Sequence, residues 1–213
     1  MVNVLDEQST VANRLLAELR DVHRQQDRSR FRFNLERLGE LMAYEISSSF
    51  RFKVQNVTTP LGTRNIGLPE VPVLVTILRA GLPFFQGFQR IFDQSEAGFI
   101  GAWREEGKHE PSITMSYQAL PAVEGRVVIL IDPMLATGKS LLRATEGILR
   151  RGRPAHLHIA SLVAAPEGID QLESAGLENT TLWTWSVDER LDDRFYIVPG
   201  LGDAGDLCFG EKE

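Results

Sequence analysis

Cysteine is nearly missing: the 213-residue chain holds one, Cys208. A single thiol forms no internal bridge and no thiolate metal site, so a disulfide scaffold is excluded and the composition suits a reducing cytoplasm. Long apolar runs are missing too. No stretch reaches the roughly 20 apolar residues of a membrane helix, and the opening MVNVLDEQST has neither a basic start nor an apolar signal core. The chain therefore reads as cytosolic and unprocessed, with no membrane partner. Positive charge is in deficit, with 23 Lys and Arg against 29 Asp and Glu, a net charge of -6. That balance excludes a surface built to neutralise long stretches of nucleic acid, and it leaves any anionic ligand to a few local cations. His23, His109, His156 and His158 show no metal-ligand spacing, and no Ser-His-Asp set is apparent. With no internal repeat and no linker long enough to separate a second core, residues 1–213 are expected to form a single domain.

What is present is 43% hydrophobic and 24% charged, enough for a sizeable core. Val11, Leu15, Leu16, Leu19 and Val22 recur at helical spacing behind Ser9 and Thr10, either of which could cap; Leu35, Leu38, Leu41, Met42 and Ile46 repeat the pattern. Residues 1–50 thus carry two amphipathic helices. Between Lys53 and Pro69 the pattern is broken by Pro60, Gly62 and Gly67, which suits a hairpin or loop. VPVLVTIL (71–78) and RVVILID (126–132) are almost continuous apolar runs rich in β-branched residues, as expected of strands covered on both faces; HLHIASLVAA (156–165) is a less uniform third. Each is followed by turn residues and a helical pattern. This succession predicts an α/β fold, an open doubly wound parallel sheet with right-handed crossovers. Ligands of such sheets lie beyond the carboxyl ends of the strands, where loops starting at Arg79, at Asp132 and within 196–206 fall. Trp183 and Trp185 alternate at strand period with Leu182 and Val187, which points to packing.

The segment VVILIDPMLATGKSLLRA (127–144) carries the most chemistry. A buried strand delivers Asp132 to the sheet edge, and Ala136, Thr137, Gly138, Lys139 and Ser140 open a helix. Hydroxyls, a glycine and the unpaired N–H groups of a helix start suit a phosphate. An isolated T-G-x-S is more often a plain helix cap, but an acid at the tip of a buried strand needs a partner that capping does not supply. PMLATGKS also approaches the G-x-x-x-x-G-K-[ST] loop of nucleotide hydrolases, with Pro133 at the first glycine. Proline fixes φ and has no N–H to donate, and Asp188 is the one candidate for the Mg²⁺-binding aspartate such enzymes need.

IDPMLATGKS (131–140) resembles the ribose-phosphate loop of uracil phosphoribosyltransferases, whose version usually ends A-T-G-G-S. ILRAGL (77–82), GAWREE (101–106), VAAPEG (163–168), LMAYE (41–45) and YIVPGLGDAGD (196–206) agree with the same family, over about residues 24 to 210. The resemblance implies a type I phosphoribosyltransferase fold and transfer of the 5-phosphoribosyl group from PRPP to N1 of uracil, with Mg²⁺ carried by PRPP and no metal ligand directly from the protein. By matching position Asp132 takes the ribose hydroxyls, Ala136 to Ser140 the 5-phosphate, and Arg79 and Arg104 the pyrophosphate. Ile197, Leu201, Gly202 and Ala204 fall at the uracil contact, within a base-recognition segment 190–213, and Asp203 near the Mg²⁺-pyrophosphate end. Asp132, Arg104 and Asp203 are then the catalytic candidates. Segment 104–120 resembles a β-arm that covers the site or reaches a neighbouring subunit, so a homodimer or higher homo-oligomer is implied, as is GTP binding, which no motif singles out. Departures from the family pattern are Thr76 for proline, Pro83-Phe84 for Gly-Met, Gly107 for threonine, Lys139 for glycine and Phe195 for glycine. They leave open another base, or a regulatory relative that binds PRPP or UMP without turnover.

Overall fold

A computed structural model describes the backbone of residues 1–105 and 112–211, with the side chains of 102–105 and 112–116 outside the description. The chain opens with a short strand, β1 (Val2–Val4), and a helical turn at Leu5–Glu7. Helix α1 (Val11–Arg20) starts at Thr10, whose hydroxyl accepts from Ala12 N at 3.2 Å while Asn13 Oδ1 accepts from Thr10 N at 2.7 Å. Asp27 caps α2 (Arg28–Ser47) through its own carboxylate, which accepts from Arg30 N at 3.0 Å. Strands β2 (Phe52–Thr59) and β3 (Gly62–Pro69) pair antiparallel along their whole length. There follow β4 (Val73–Leu78), α3 (Gly81–Ile91), β5 (Ala97–Glu105), β6 (Ser112–Ala119), β7 (Val127–Ile131), β8 (Met134–Leu135) and α4 (Lys139–Leu149). The chain ends with β9 (His156–Ala164), α5 (Pro166–Ser174), β10 (Thr180–Val187), β11 (Arg190–Leu191), β12 (Ile197–Val198) and α6 (Ala204–Phe209).

The main sheet runs β1-β10-β9-β7-β4-β5-β6, with β8 beside β9. Every neighbouring pair is parallel except β5 with β6, so the expected open doubly wound sheet forms with one antiparallel edge. The continuous apolar runs resolve into alternation once the two faces are separated. Leu74, Ile129 and Ile131 face α1, α2 and α3, whereas Val73, Val75, Val128 and Leu130 face α4 and α5. Burial of each such side chain is worth about 1.5 to 3 kcal/mol, so both faces must be covered for either strand to be stable. Helices α2 and α3 approach so closely that a Cβ on Gly39 would strike Phe84 O, and one on Gly87 would strike Glu36 O.

Residues 53–69, which suit either a hairpin or a loop by sequence, form a hairpin whose side chains are almost all exposed, Val54 by 74% and Leu61 by 100%. Neither face is buried, so no alternation marks its strands. The described residues of 104–120, the segment expected to form a β-arm, include the end of β5 and the edge strand β6, which pair antiparallel; residues 106–111 lie outside the described ones. Strand β1 has no sequence signal: three residues carry no period, and it exists by pairing with β10, Val2 opposite Leu182. No helix among the described residues is long and apolar enough to cross a membrane.

Two polar clusters fix the layers. On α1, the buried carboxylate of Glu18 accepts from Arg30 Nε at 2.8 Å and Asn34 Nδ2 at 2.9 Å, which hold its pKa down at about 2 against the effect of burial. On β9, buried His158 lies 4.5 Å from the His156 ring, centroid to centroid, so the pair shares a face as its spacing implies. Trp183 Nε1 donates to His158 Nδ1 at 3.0 Å, so that nitrogen must stay unprotonated. Burial, with a smaller contribution from His156, pushes the His158 pKa from 6.5 down to about 3. The unfolded chain then binds the extra proton, so this stabilisation is complete above pH 6.5 and is lost as pH falls toward 3. Urea unfolding should show wild type losing up to about 5 kcal/mol more than His158→Gln between pH 7 and pH 3; equal losses in the two proteins would contradict this.

Candidate active site

Adjacent strands β4 and β7 send their chains in opposite directions. From β4 the chain enters α3 on the face of α1 and α2, and from β7 it enters α4 on the other face. Between the diverging loops a crevice opens at the carboxyl edge of the sheet. It holds a cavity of about 430 Å³. Arg79 and Ala80 line it from the first loop, Asp132, Ala136 and Ser140 from the second, and Ile197, Gly202, Asp203 and Ala204 from the carboxyl-terminal segment. The structure thus brings together three stretches separated by up to about 130 positions in the sequence.

Asp132 is 8% exposed, and its Oδ1 accepts from Met134 N at 3.4 Å. Behind it Pro133 O accepts from Leu162 N and Val163 N at 2.9 and 3.0 Å, so the start of the turn is locked to β9. Gly138 is the N-cap of α4 at φ 76°, and without a side chain it offers no cap to the first helical N–H groups. A Cβ there would sit 3.1 Å from Gly168 O on α5, which is a second reason for glycine. The left-handed residue is therefore Gly138 and not Lys139, and lysine in place of the usual second glycine carries no backbone strain. Thr137 Oγ1 lies 3.5 Å from Lys139 N at the limit of a hydrogen bond. Thr137, Gly138 and Lys139 do not themselves line the cavity; they shape the turn beside it.

Arg79 follows a cis peptide bond from Leu78. Its Nη2 donates to Asp206 Oδ1 at 2.9 Å, while its Nε is buried with no partner among the described residues. Arg79 thus places a guanidinium, the group suited to oxygens of an anion, on a residue that lines the cavity. Arg104 lies in β5, and its side chain falls outside the described ones. Asp203 lines the cavity and caps α6, accepting from Asp206 N at 3.0 Å. Ile197 and Ala204 are buried on the wall, whereas Leu201 packs into the core and does not line the cavity. No cluster of three His, Cys, Asp or Glu side chains suited to a metal occurs among the described residues. Burial pushes the Cys208 thiol up to about 12, which leaves it an inert packing group.

Sequence reasoning missed several residues. Ile77, Leu78, Gly101, Met134, Phe195, Tyr196 and Gly205 also line the cavity; all but Phe195 lie inside the quoted motifs, and Phe195 directly precedes one. Asp188, by sequence the candidate for a metal-binding aspartate, has another task. Its carboxylate accepts from Arg20 Nη1 and Nη2 at 2.7 Å each, and from Gly200 N at 2.7 Å. Arg20 Nη1 also donates to Gly200 O at 3.0 Å, so the end of α1 grips both faces of the Gly200 peptide region. No sequence pattern pairs residues 168 positions apart. Arg20→Ala would strand a buried carboxylate and should cost about 3 kcal/mol in denaturant unfolding, with Arg20→Ala/Asp188→Asn recovering a share of it; an additive double variant would contradict this coupling.

The sequence profile described as uracil phosphoribosyltransferase matches residues 6–211. A uracil phosphoribosyltransferase of Porphyromonas gingivalis is 46% identical over 210 residues, 98% of this chain and 97% of its own length. One from Methanothermobacter thermautotrophicus is 36% identical over 189 residues, 86% of this chain and 85% of its own. The solved structure of the AQ2163 protein from Aquifex aeolicus superposes with a TM-score of 0.88 at 32% identity, covering 99% of this chain and 98% of that one. With the profile spanning nearly the whole chain and the turn, crevice and carboxyl-terminal segment assembled around one cavity, the chain belongs to the uracil phosphoribosyltransferase family.

Proposed function

We propose that the protein transfers the 5-phosphoribosyl group of PRPP to N1 of uracil, giving UMP and pyrophosphate. The observation that carries this reading is the cavity at the β4/β7 divergence, where the buried carboxylate of Asp132, Ser140 in the first turn of α4 and Arg79 converge. Departure of pyrophosphate from C1 of ribose leaves an oxocarbenium-like centre, so the protein's work is to hold two anions and align a weak nucleophile. Asp132 accepts hydrogen bonds from the ribose 2- and 3-hydroxyls. Backbone N–H groups and hydroxyls from Ala136 to Ser140 hold the 5-phosphate, with Lys139 adding charge. Arg79, a cavity-lining residue, and Arg104 take the pyrophosphate.

Uracil presents a donor at N3 and acceptors at O2 and O4, which the backbone between Ile197 and Ala204 reads. Gly202 at φ 91° and Gly200 at φ 59° bend this stretch so that its peptide groups can face the base. Cytosine lacks the N3 proton and reverses the donor at position 4, so a rigid reader leaves groups unpaired, at about 1 to 3 kcal/mol each. Mg²⁺ bound with PRPP would supply charge neutralisation for the pyrophosphate leaving group, and the carboxylate of cavity-lining Asp203 would be the group suited to hold it through water. The protein works in the cytoplasm as a homodimer or higher homo-oligomer. The apolar, exposed side chains of Phe52, Val54, Ile66 and Leu68 on the β2–β3 hairpin support a second copy as partner.

Incubating protein, PRPP, Mg²⁺ and uracil should yield UMP, and binding of PRPP or UMP without turnover would select a regulatory role instead. Asp132→Asn should fold and lose turnover by roughly 10- to 100-fold, the worth of hydrogen bonds to a charged acceptor; full activity would remove its role. Lys139→Gly should raise the KM for PRPP roughly three- to tenfold while leaving that for uracil, the effect of one partly exposed charge pair.

A further inference from the structure

Phe195 stands at φ 63°, in the left-handed region that a bulky L-residue avoids. The turn that puts it there is over-determined. Strands β11 and β12 pair Leu191 with Ile197, and the five residues between them close through Phe195 N to Asp192 O at 2.9 Å and Asp192 N to Tyr196 O at 2.9 Å. Asp192 Oδ1 accepts from Arg194 N at 2.9 Å and from Tyr196 N at 2.8 Å, which fixes the tip from inside. Glu167 Oε1 accepts from Leu191 N at 2.9 Å and ties the hairpin to α5. A glycine would satisfy this geometry without strain. The turn therefore accommodates Phe195 and does not require it.

What the phenylalanine adds is an aromatic side chain at a position that lines the same cavity as Ile197 and Gly202. The side chain is only half-buried, and among the described residues the ring stacks on no other aromatic group. An unstacked aromatic face, held by a strained backbone at the rim of a ligand cavity, is the arrangement expected of a ligand clamp. We infer that Phe195 is a specificity-determining residue whose ring covers one face of the planar pyrimidine, while the backbone of 197–204 reads its edge. This rests on the uracil reading above and adds the face of the base to it. The two contacts are separable: one recognises a hydrogen-bonding pattern, the other any flat ring of pyrimidine size.

The strain gives a test that a packing role could not imitate. Phe195→Gly should raise the KM for uracil about tenfold, toward the lower end of what stacking of a base on an aromatic ring is worth, with the KM for PRPP unchanged. Its thermal midpoint should stay level or rise, because the left-handed conformation no longer carries a side chain. Phe195→Tyr, which keeps the ring, should hold the uracil KM near wild type. A uracil KM within twofold of wild type in Phe195→Gly overturns the assignment, as does a parallel rise in both KM values or a fall in thermal midpoint that accounts for the lost activity. In those cases wild type still makes UMP and only the Phe195 role is lost. A wild type that makes no UMP from uracil and PRPP overturns the uracil reading and the Phe195 role with it.

Discussion

Parallel pairing of β4 with β7, Val73 opposite Val128 through Thr76 opposite Ile131, places two strand ends side by side in the middle of a sheet covered on both faces. Because their following helices must each cover a different face, the two loops are forced apart at that point and cannot close over the strand ends. The cavity is the space left by that divergence. Asp132 and Arg79 flank it because they are the first residues after the two strands. Thr76 Oγ1 donates to Ile131 O at 3.2 Å across the pair, adding a side-chain tie next to the carboxyl ends.

A second dependence runs from the amino terminus to the carboxyl terminus. The segment 197–205 is irregular and rich in glycine, so its shape comes from what grips it and not from regular structure of its own. Arg20 and Asp188 hold Gly200, and Arg32 on α2 donates to Cys208 O at 2.7 Å to hold α6. Asp206 on α6 then fixes Arg79, so this cavity-lining guanidinium is positioned by the helix that segment 197–203 leads into. Loosening α1 or α2 therefore reaches the carboxyl-terminal segment and Arg79 together, although neither helix carries a residue on the cavity wall.

Different kinds of polar group serve different ends in this chain. Glu18 and Asp188 are buried carboxylates saturated by arginines, an amide side chain and a backbone N–H, and they fix layers. His158 is a buried base held neutral by burial and by the Trp183 indole. Arg79 differs in keeping a buried donor without a partner, and it lies on the cavity wall. Satisfied groups of this kind stabilise the fold; among the described residues Ser95, Thr145 and Ser161 also keep a buried hydroxyl without a partner, but of the four only Arg79 lines the cavity.

Sequence alone determined the central strands, because β-branched runs buried on both faces need no distant information, and it determined the strand–turn–helix over 127–140, because that stretch is contiguous and its strand and glycine act locally. Family motifs pointed to the segment 196–206, whose glycines at 200 and 202 adopt positive φ. The exposed hairpin 52–69 stayed ambiguous because an element with neither face buried carries no period, and β1 was invisible because three residues acquire strand geometry only from β10. Only the tertiary structure decided that Asp188 answers Arg20, that Leu201 faces the core while Ile197 and Ala204 face the cavity, and that Phe195 sits strained on its wall. Each of these is set by contacts between residues far apart in the chain or by the turn of a backbone whose direction its own residues do not specify.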